Sequence, residues 1–298
     1  MKFANASARS LIALGVGLAM GATVLGAPAA TAAVPPQGAY WHTRTLSTSS
    51  HPWRFGTTSD PYTLVQREIS ESWSAPSGRR WNGWRELGTL PKSAADKKAW
   101  RRDGSPSTWS RSIDGKRVKL SAEPADGHVG LALPDRPQFM LDDQWLTYDE
   151  VQRLPADPSR LKDWLTKAAQ VGRVSDSAMA GWLTGTLTQL LHDLPVPQEV
   201  RTAAYQALLT LPGVRADGDA KDDLGRTGAV VVIHHAYGTG KKTHSDKRRL
   251  IVDTARMVLL SKDQTITDGG KASRTQTDHK TMVEVGWTSS QPTVPALP

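Results

Sequence analysis

Apolar residues in this chain recur at every second position towards both ends and at every third or fourth position in the middle. The first pattern belongs to a half-buried strand and the second to an amphipathic helix. The clearest strand is Tyr62–Trp73. Val65, Ile69 and Trp73 share one side, and Gln66, Glu68, Ser70 and Ser72 share a second, wet side. Ala75-Pro-Ser-Gly78 supplies turn chemistry and Arg79–Leu87 returns, so residues 62–87 are expected to form a long antiparallel hairpin. Residues 40–46, 227–235, 248–253, 256–260 and 279–287 are further strands. Residues 91–130, rich in Lys, Ser, Asp, Gly and Pro, are expected to be irregular.

The middle carries three helices. Asp157 and Pro158 form an N-cap and first turn, after which Leu161, Trp164, Leu165 and Ala168 fall on one stripe. A second helix spans 176–193, with an apolar face of Met179, Trp182, Leu183, Leu187, Leu190, Leu191 and Leu194. A third runs from Pro197 to Leu211, where Pro212-Gly213 stops it. Strands at both ends with helices clustered between them imply an α+β fold. The expected form is a curved antiparallel sheet, a half-open barrel, with the three helices packed on its concave face.

Lys2 and Arg9 precede the apolar run Leu11–Leu25, and small residues follow it. That is the build of a secretory signal, and the run falls short of the ~20 residues of a spanning helix. Residues 1–33 are therefore expected to be a signal peptide, 34–290 a single domain and 291–298 a disordered tail. The protein is placed outside the cytoplasm, secreted or associated with the cell envelope. The formal net charge of +8 fits a solvated basic surface or peripheral contact with an anionic membrane or cell-wall polymer. Nucleic acid is not an expected partner, since no motif for it appears. The chain has no cysteine, which excludes disulfides, thiolate metal sites and a cysteine nucleophile.

Several motifs come close to known chemistry and fall short. Gly240-Lys241 follows a strand as in a phosphate-binding loop. His235 stands where the first glycine belongs, Lys242 replaces the hydroxyl residue, and another strand follows instead of a helix. The segment is expected to be a hairpin. His234 and His235 point to opposite faces of a strand and cannot easily share a metal. Asp217–Asp223 resembles a calcium loop at a glance, but Lys221 and Asp222 occupy positions that need other residues, so a polar turn is expected. No Gly-x-Ser-x-Gly elbow is present, and Asp142-Asp143 and Asp149-Glu150 are expected to be solvated or capping acids. No catalytic residue, metal or cofactor is expected.

Eleven tryptophans stand against three phenylalanines. Tryptophan combines a large apolar face with one N–H, which suits core packing and ligand walls alike. Trp73, Trp81, Trp164 and Trp182 are the candidate wall residues. The expected function is non-enzymatic binding of a hydrophobic or lipid-like ligand in a groove between sheet and helices. Alternatives are an envelope-sensing module that contacts a protein partner, and a secreted hydrolase.

Residues 150–262 also carry a family resemblance. "VPQEVRTAAYQALLTLPGVRADGDAKDDLGRTGAVVVI" and "RRLIVDTARMVLLSKDQTI" resemble an actinobacterial family of secreted or membrane-anchored proteins of unknown function. The shared elements are the Leu211–Val214 helix stop, the Asp-x-x-Gly-Arg turn at Asp222–Arg226, the hairpin Leu250–Leu260 and the helix start "LPADPSRLKDWL". Ala255-Arg256-Met257 stands where the family has a Thr-Gly turn. At fold level the family is similar to the periplasmic lipoprotein-carrier (LolA-like) and RseB-like proteins. That resemblance implies a half-open barrel, a lipid-like ligand under the helices and a link to extracytoplasmic sigma-factor systems.

Overall fold

The computed structural model describes residues 38–113, 116–132, 138–142, 144–237, 244–268 and 274–298. The expected signal at 1–33 and the Gly240-Lys241 pair lie outside the described residues. In chain order the elements are β1 (Tyr40–Gly56), β2 (Pro61–Ser74), β3 (Arg80–Pro91), α1 (Ala94–Arg102), β4 (Thr108–Ile113), β5 (Lys116–Ser121), β6 (His128–Ala132), β7 (Phe139–Leu141) and β8 (Gln144–Leu146). Then come α2 (Tyr148–Gln152), α3 (Pro158–Val171), α4 (Asp176–Leu190), α5 (Gln198–Leu209), β9 (Val214–Lys221), β10 (Thr227–Tyr237), β11 (His244–Asp253), β12 (Val258–Asp268) and β13 (Arg274–Thr288).

Nine strands form one open sheet in the order β6-β3-β2-β1-β13-β12-β11-β10-β9, and every pairing is antiparallel. The fold is α+β, with the expected hairpin present as β2–β3. The nucleotide-like segment is the β10–β11 hairpin, paired from Ala229–Val252 to Tyr237–His244. The helix signals act as their chemistry requires. Asp157 caps α3 by accepting from Arg160 N at 2.9 Å, with Pro158 in the first turn. Gly213, at φ 76°, ends the α5 segment; a Cβ there would meet His234 O at 2.4 Å.

Three expectations need correction. Residues 91–130 are not irregular: they hold α1, β4, β5 and β6. Ser93 caps α1, and Ala99 and Trp109 bury against Tyr62 and Leu64 in a small second core. The Tyr62 hydroxyl ties it together, donating to Asp103 Oδ2 (2.8 Å) and accepting from Trp109 Nε1 (3.0 Å). Asp217–Asp223 is not chiefly a turn. Most of it is the edge strand β9, exposed along its acidic and basic side chains, and such charge keeps a free edge from pairing with another chain. The helices, too, are five among the described residues, since α1 and α2 join the expected three.

The large core lies on one face of the sheet. Leu161, Leu165, Leu183, Leu187, Leu190, Val200 and Leu208 of α3–α5 pack with Trp41, Val231, Ile233, Leu250, Val252, Met282 and Val285 of the strands. Neighbouring residues on a strand point to opposite sides, so the face opposite Trp41 carries His42, Arg44 and Trp73. His42 stacks on Trp73 at 4.9 Å, and its Nε2 meets the buried Glu71 at 2.8 Å. Residues 291–298 form no helix or strand and run over this second face. Tyr40 Oη donates to Gln291 Oε1 (3.1 Å) and Arg44 Nη2 to Ala296 O (3.2 Å), while Pro295 lies over Gly83.

Candidate functional site

The ladder between β12 and β13 ends at Ser261–Thr281, although both strands continue. Beyond that point Val258 and Leu259 remain with β11, and Met282–Thr288 remain with β1. A bulge on each strand accompanies the parting, between Ile251/Val252 in one pairing and Arg44/Thr45 in the other. The result is a cleft of about 510 Å³ whose floor includes the buried Trp41, Val258, Leu259, Met282 and Val285, with Trp287 beside them. Trp41 and Trp287 meet edge to face at 5.8 Å, and Trp41 Nε1 donates to His192 O at the end of α4.

Parted strands leave carbonyls without ladder donors, which is costly when buried. Arginines supply the donors. Arg226 Nη2 donates to Met282 O (2.7 Å) and Leu260 O (3.3 Å), and its Nη1 to Val283 O (3.4 Å). Arg256 Nη2 donates to Val285 O at 2.9 Å. Arg226 is itself held by Asp222, whose fully buried carboxylate takes Arg226 Nε and Nη2 through Oδ2 and the backbone N–H of Leu224 and Arg226 through Oδ1. Burial alone would raise the Asp222 pKa; the bonds from Arg226 outweigh it and hold the carboxyl below its ordinary value. The Asp-x-x-Gly-Arg turn is therefore a clasp over the opened seam.

The third arginine, Arg201 of α5, lies with its guanidinium 5.5 Å over the Trp41 ring. Burial, then the charge of Arg256, brings its pKa down to about 10, with Glu199 opposing. Gln198 and Arg201 also hold the β11–β12 hairpin tip through Ala255 O (2.9 Å) and Arg256 O (3.4 Å). At that tip Met257 takes φ 51°, the left-handed conformation that a glycine would adopt more easily.

The helix-bearing face has a second polar feature. Val231, Leu250, Lys262, Lys280, Ser47, Glu68 and Glu86 form one rung from β10 to β3. Val231 and Leu250 lie under the helices, so the rest of the rung is a charged belt on the same face. Burial, then the charges of Arg248 and Lys280, lowers the Lys262 ammonium to about 8, and burial raises the Glu68 carboxyl.

The structure does not gather the four expected wall residues. Trp73 and Trp81 are cross-strand partners on the face that carries the chain end, and Trp81 adjoins Gln291 and Pro292. Trp164 and Trp182 sit on α3 and α4, packed against the core on the other face. Trp73 and Trp182 each bury an indole N–H without an acceptor among the described residues. The histidines also separate: His235 Nε2 lies 3.1 Å from Thr184 Oγ1 of α4, and His234 faces away and is exposed. Asp143 lies outside the described residues, and Glu150 serves in a capping box with Thr147.

One titration is tied to the clasp. His279 Nδ1 lies 2.5 Å from Asp263 Oδ1, and Nε2 lies 2.9 Å from Asp223 Oδ2 in the turn that carries Arg226. The Asp263 bond, ahead of the opposing burial, raises the His279 pKa above its ordinary 6.5. A raised histidine stabilises the fold fully below its unfolded pKa and loses that contribution as pH rises through the folded value. Urea unfolding should show wild type losing stability relative to His279→Gln as pH rises above about 6.5; parallel curves would exclude the linkage.

No protein-family model matches the chain, and no curated protein is significantly similar to it.

Proposed function

We propose that this is an exported, non-enzymatic binding protein of the cell envelope whose ligand is an amphiphile seated in the seam cleft. In this reading the sheet curves as a half-open barrel around α3–α5, as in the lipoprotein-carrier and RseB-like proteins that the sequence resembles. The ligand then lies beside the helices instead of beneath them, because side chains of α3–α5 and the sheet already meet in one core. The observation that carries the reading is the parting of β12 from β13, which leaves Trp41, Trp287, Met282 and Val285 along an open cleft. A cleft of this volume suits a small ligand, and the three arginines among its lining residues favour an amphiphile over a purely apolar molecule.

Titration with dodecyl maltoside below its micelle concentration tests this. Tryptophan emission of the wild-type protein should shift, and Trp287→Leu should reduce the affinity at least fivefold, equivalent to about 1 kcal/mol. An unchanged spectrum, or a shift indifferent to Trp287, would rule the cleft out as the site.

A further inference from the structure

The cleft also carries positive charge that the fold itself does not neutralise. Arg226 is committed to Asp222 and to three carbonyls. Arg201 and Arg256 are not so committed. Arg201 uses Nη1 on Val196 O and Nε on Arg256 O, and Arg256 uses Nη2 on Val285 O. Arg201 Nη2 and Arg256 Nε and Nη1 have no acceptor among the described residues, and no described carboxylate lies within 4.0 Å of either guanidinium. The other arginines beside acids differ: Arg44, Arg80, Arg102 and Arg248 all have a carboxylate at salt-bridge distance.

Three further features converge on the same place. The Trp41 ring supports Arg201 from below. Helix α5 begins at Pro197 without a side-chain cap, so its positive end is not satisfied by the chain, and Gln198 of its first turn lines the cleft. The acid lining the cleft, Glu284, is exposed and has His42 Nδ1 at 3.2 Å. Free donors on two separate forks suit a tetrahedral oxyanion with several acceptor oxygens, whereas one fork would suffice for a carboxylate.

Resting on the amphiphile reading, we infer that Arg201 and Arg256 bind a phosphate group carried by that ligand. The apolar part lies along Trp41, Trp287 and Met282, and the phosphate takes the free guanidinium donors.

Calorimetric titration of the full chain with dodecyl phosphate, dodecyl maltoside and inorganic phosphate tests the inference. The wild-type protein should bind dodecyl phosphate at least tenfold more tightly than the maltoside, the scale of a charge-assisted hydrogen bond. Arg256→Gln, at an exposed position, should abolish that preference while leaving maltoside affinity unchanged; it also gives up the bond to Val285 O, so its melting temperature should fall slightly. Arg201→Gln should do the same to the preference, with circular dichroism checking the fold. Equal affinity for the two amphiphiles overturns the phosphate site and leaves the amphiphile cleft standing. A preference that survives both substitutions overturns the assignment to these arginines. Inorganic phosphate binding as tightly as dodecyl phosphate supports the oxyanion site and overturns the amphiphile. Absence of binding by all three overturns both.

Discussion

An Arg226→Met variant is expected to melt about 10 °C below the wild-type protein. The substitution leaves Asp222 buried without its cation and removes the donors for the carbonyls of Leu260, Met282 and Val283. Breaking a buried pair by deleting one partner costs about 3 kcal/mol or more. In a domain of this size each kcal/mol moves the midpoint by ~2–4 °C. Arg226→Lys should recover only part of the loss, because an ammonium cannot bridge a carboxylate and several carbonyls with a planar fork. Thermal denaturation followed by far-ultraviolet circular dichroism is the measurement. A shift under ~2 °C for the methionine variant would show that the clasp carries little stability.

Trp41→Ala should be the second large loss. Trp41 is 3 % exposed, contacts Trp287, supports the Arg201 guanidinium and donates to His192 O. Truncating a buried tryptophan costs about 3–5 kcal/mol, since the transfer free energy is lost and a cavity remains. Trp41→Phe keeps a ring and gives up the indole bond, so it should cost closer to ~1–2 kcal/mol. Urea unfolding with a common slope for all variants separates the two. Equal losses for alanine and phenylalanine would mean that the N–H bond, not the ring, holds this corner.

The contrast between what could and could not be anticipated has physical causes. Hairpin β2–β3 and the start of α3 rest on local rules, alternation around a turn and an aspartate cap before a proline, and local rules are visible in a single chain. Strand β1 runs on to Gly56 through Ser47–Ser50, a stretch without alternation that is held by its two neighbours. The side of β2 expected to be wet is also covered, with Ser72 and Ser74 nearly as buried as Trp73. Thr43 Oγ1 lies 2.8 Å from Ser72 Oγ, and that pairing depends on a strand far away in sequence. The cleft was illegible for the same reason. Its arginines come from a helix and two turns, and they meet only because β12 and β13 part. One signal did exist: the Asp222–Arg226 turn was one element of the family resemblance, though nothing in its spacing revealed which carbonyls Arg226 would reach.

Strands β1 and β13 are neighbours at the centre of the sheet, with Trp41 opposite Trp287. A nascent chain would thus hold β1 unpaired on one side until β13 arrived. Such distant pairing is slow to form, so synthesis of this molecule has a vulnerable interval that ends only when β13 joins β1. Any factor that shields β1 during that interval would govern yield without touching the finished protein.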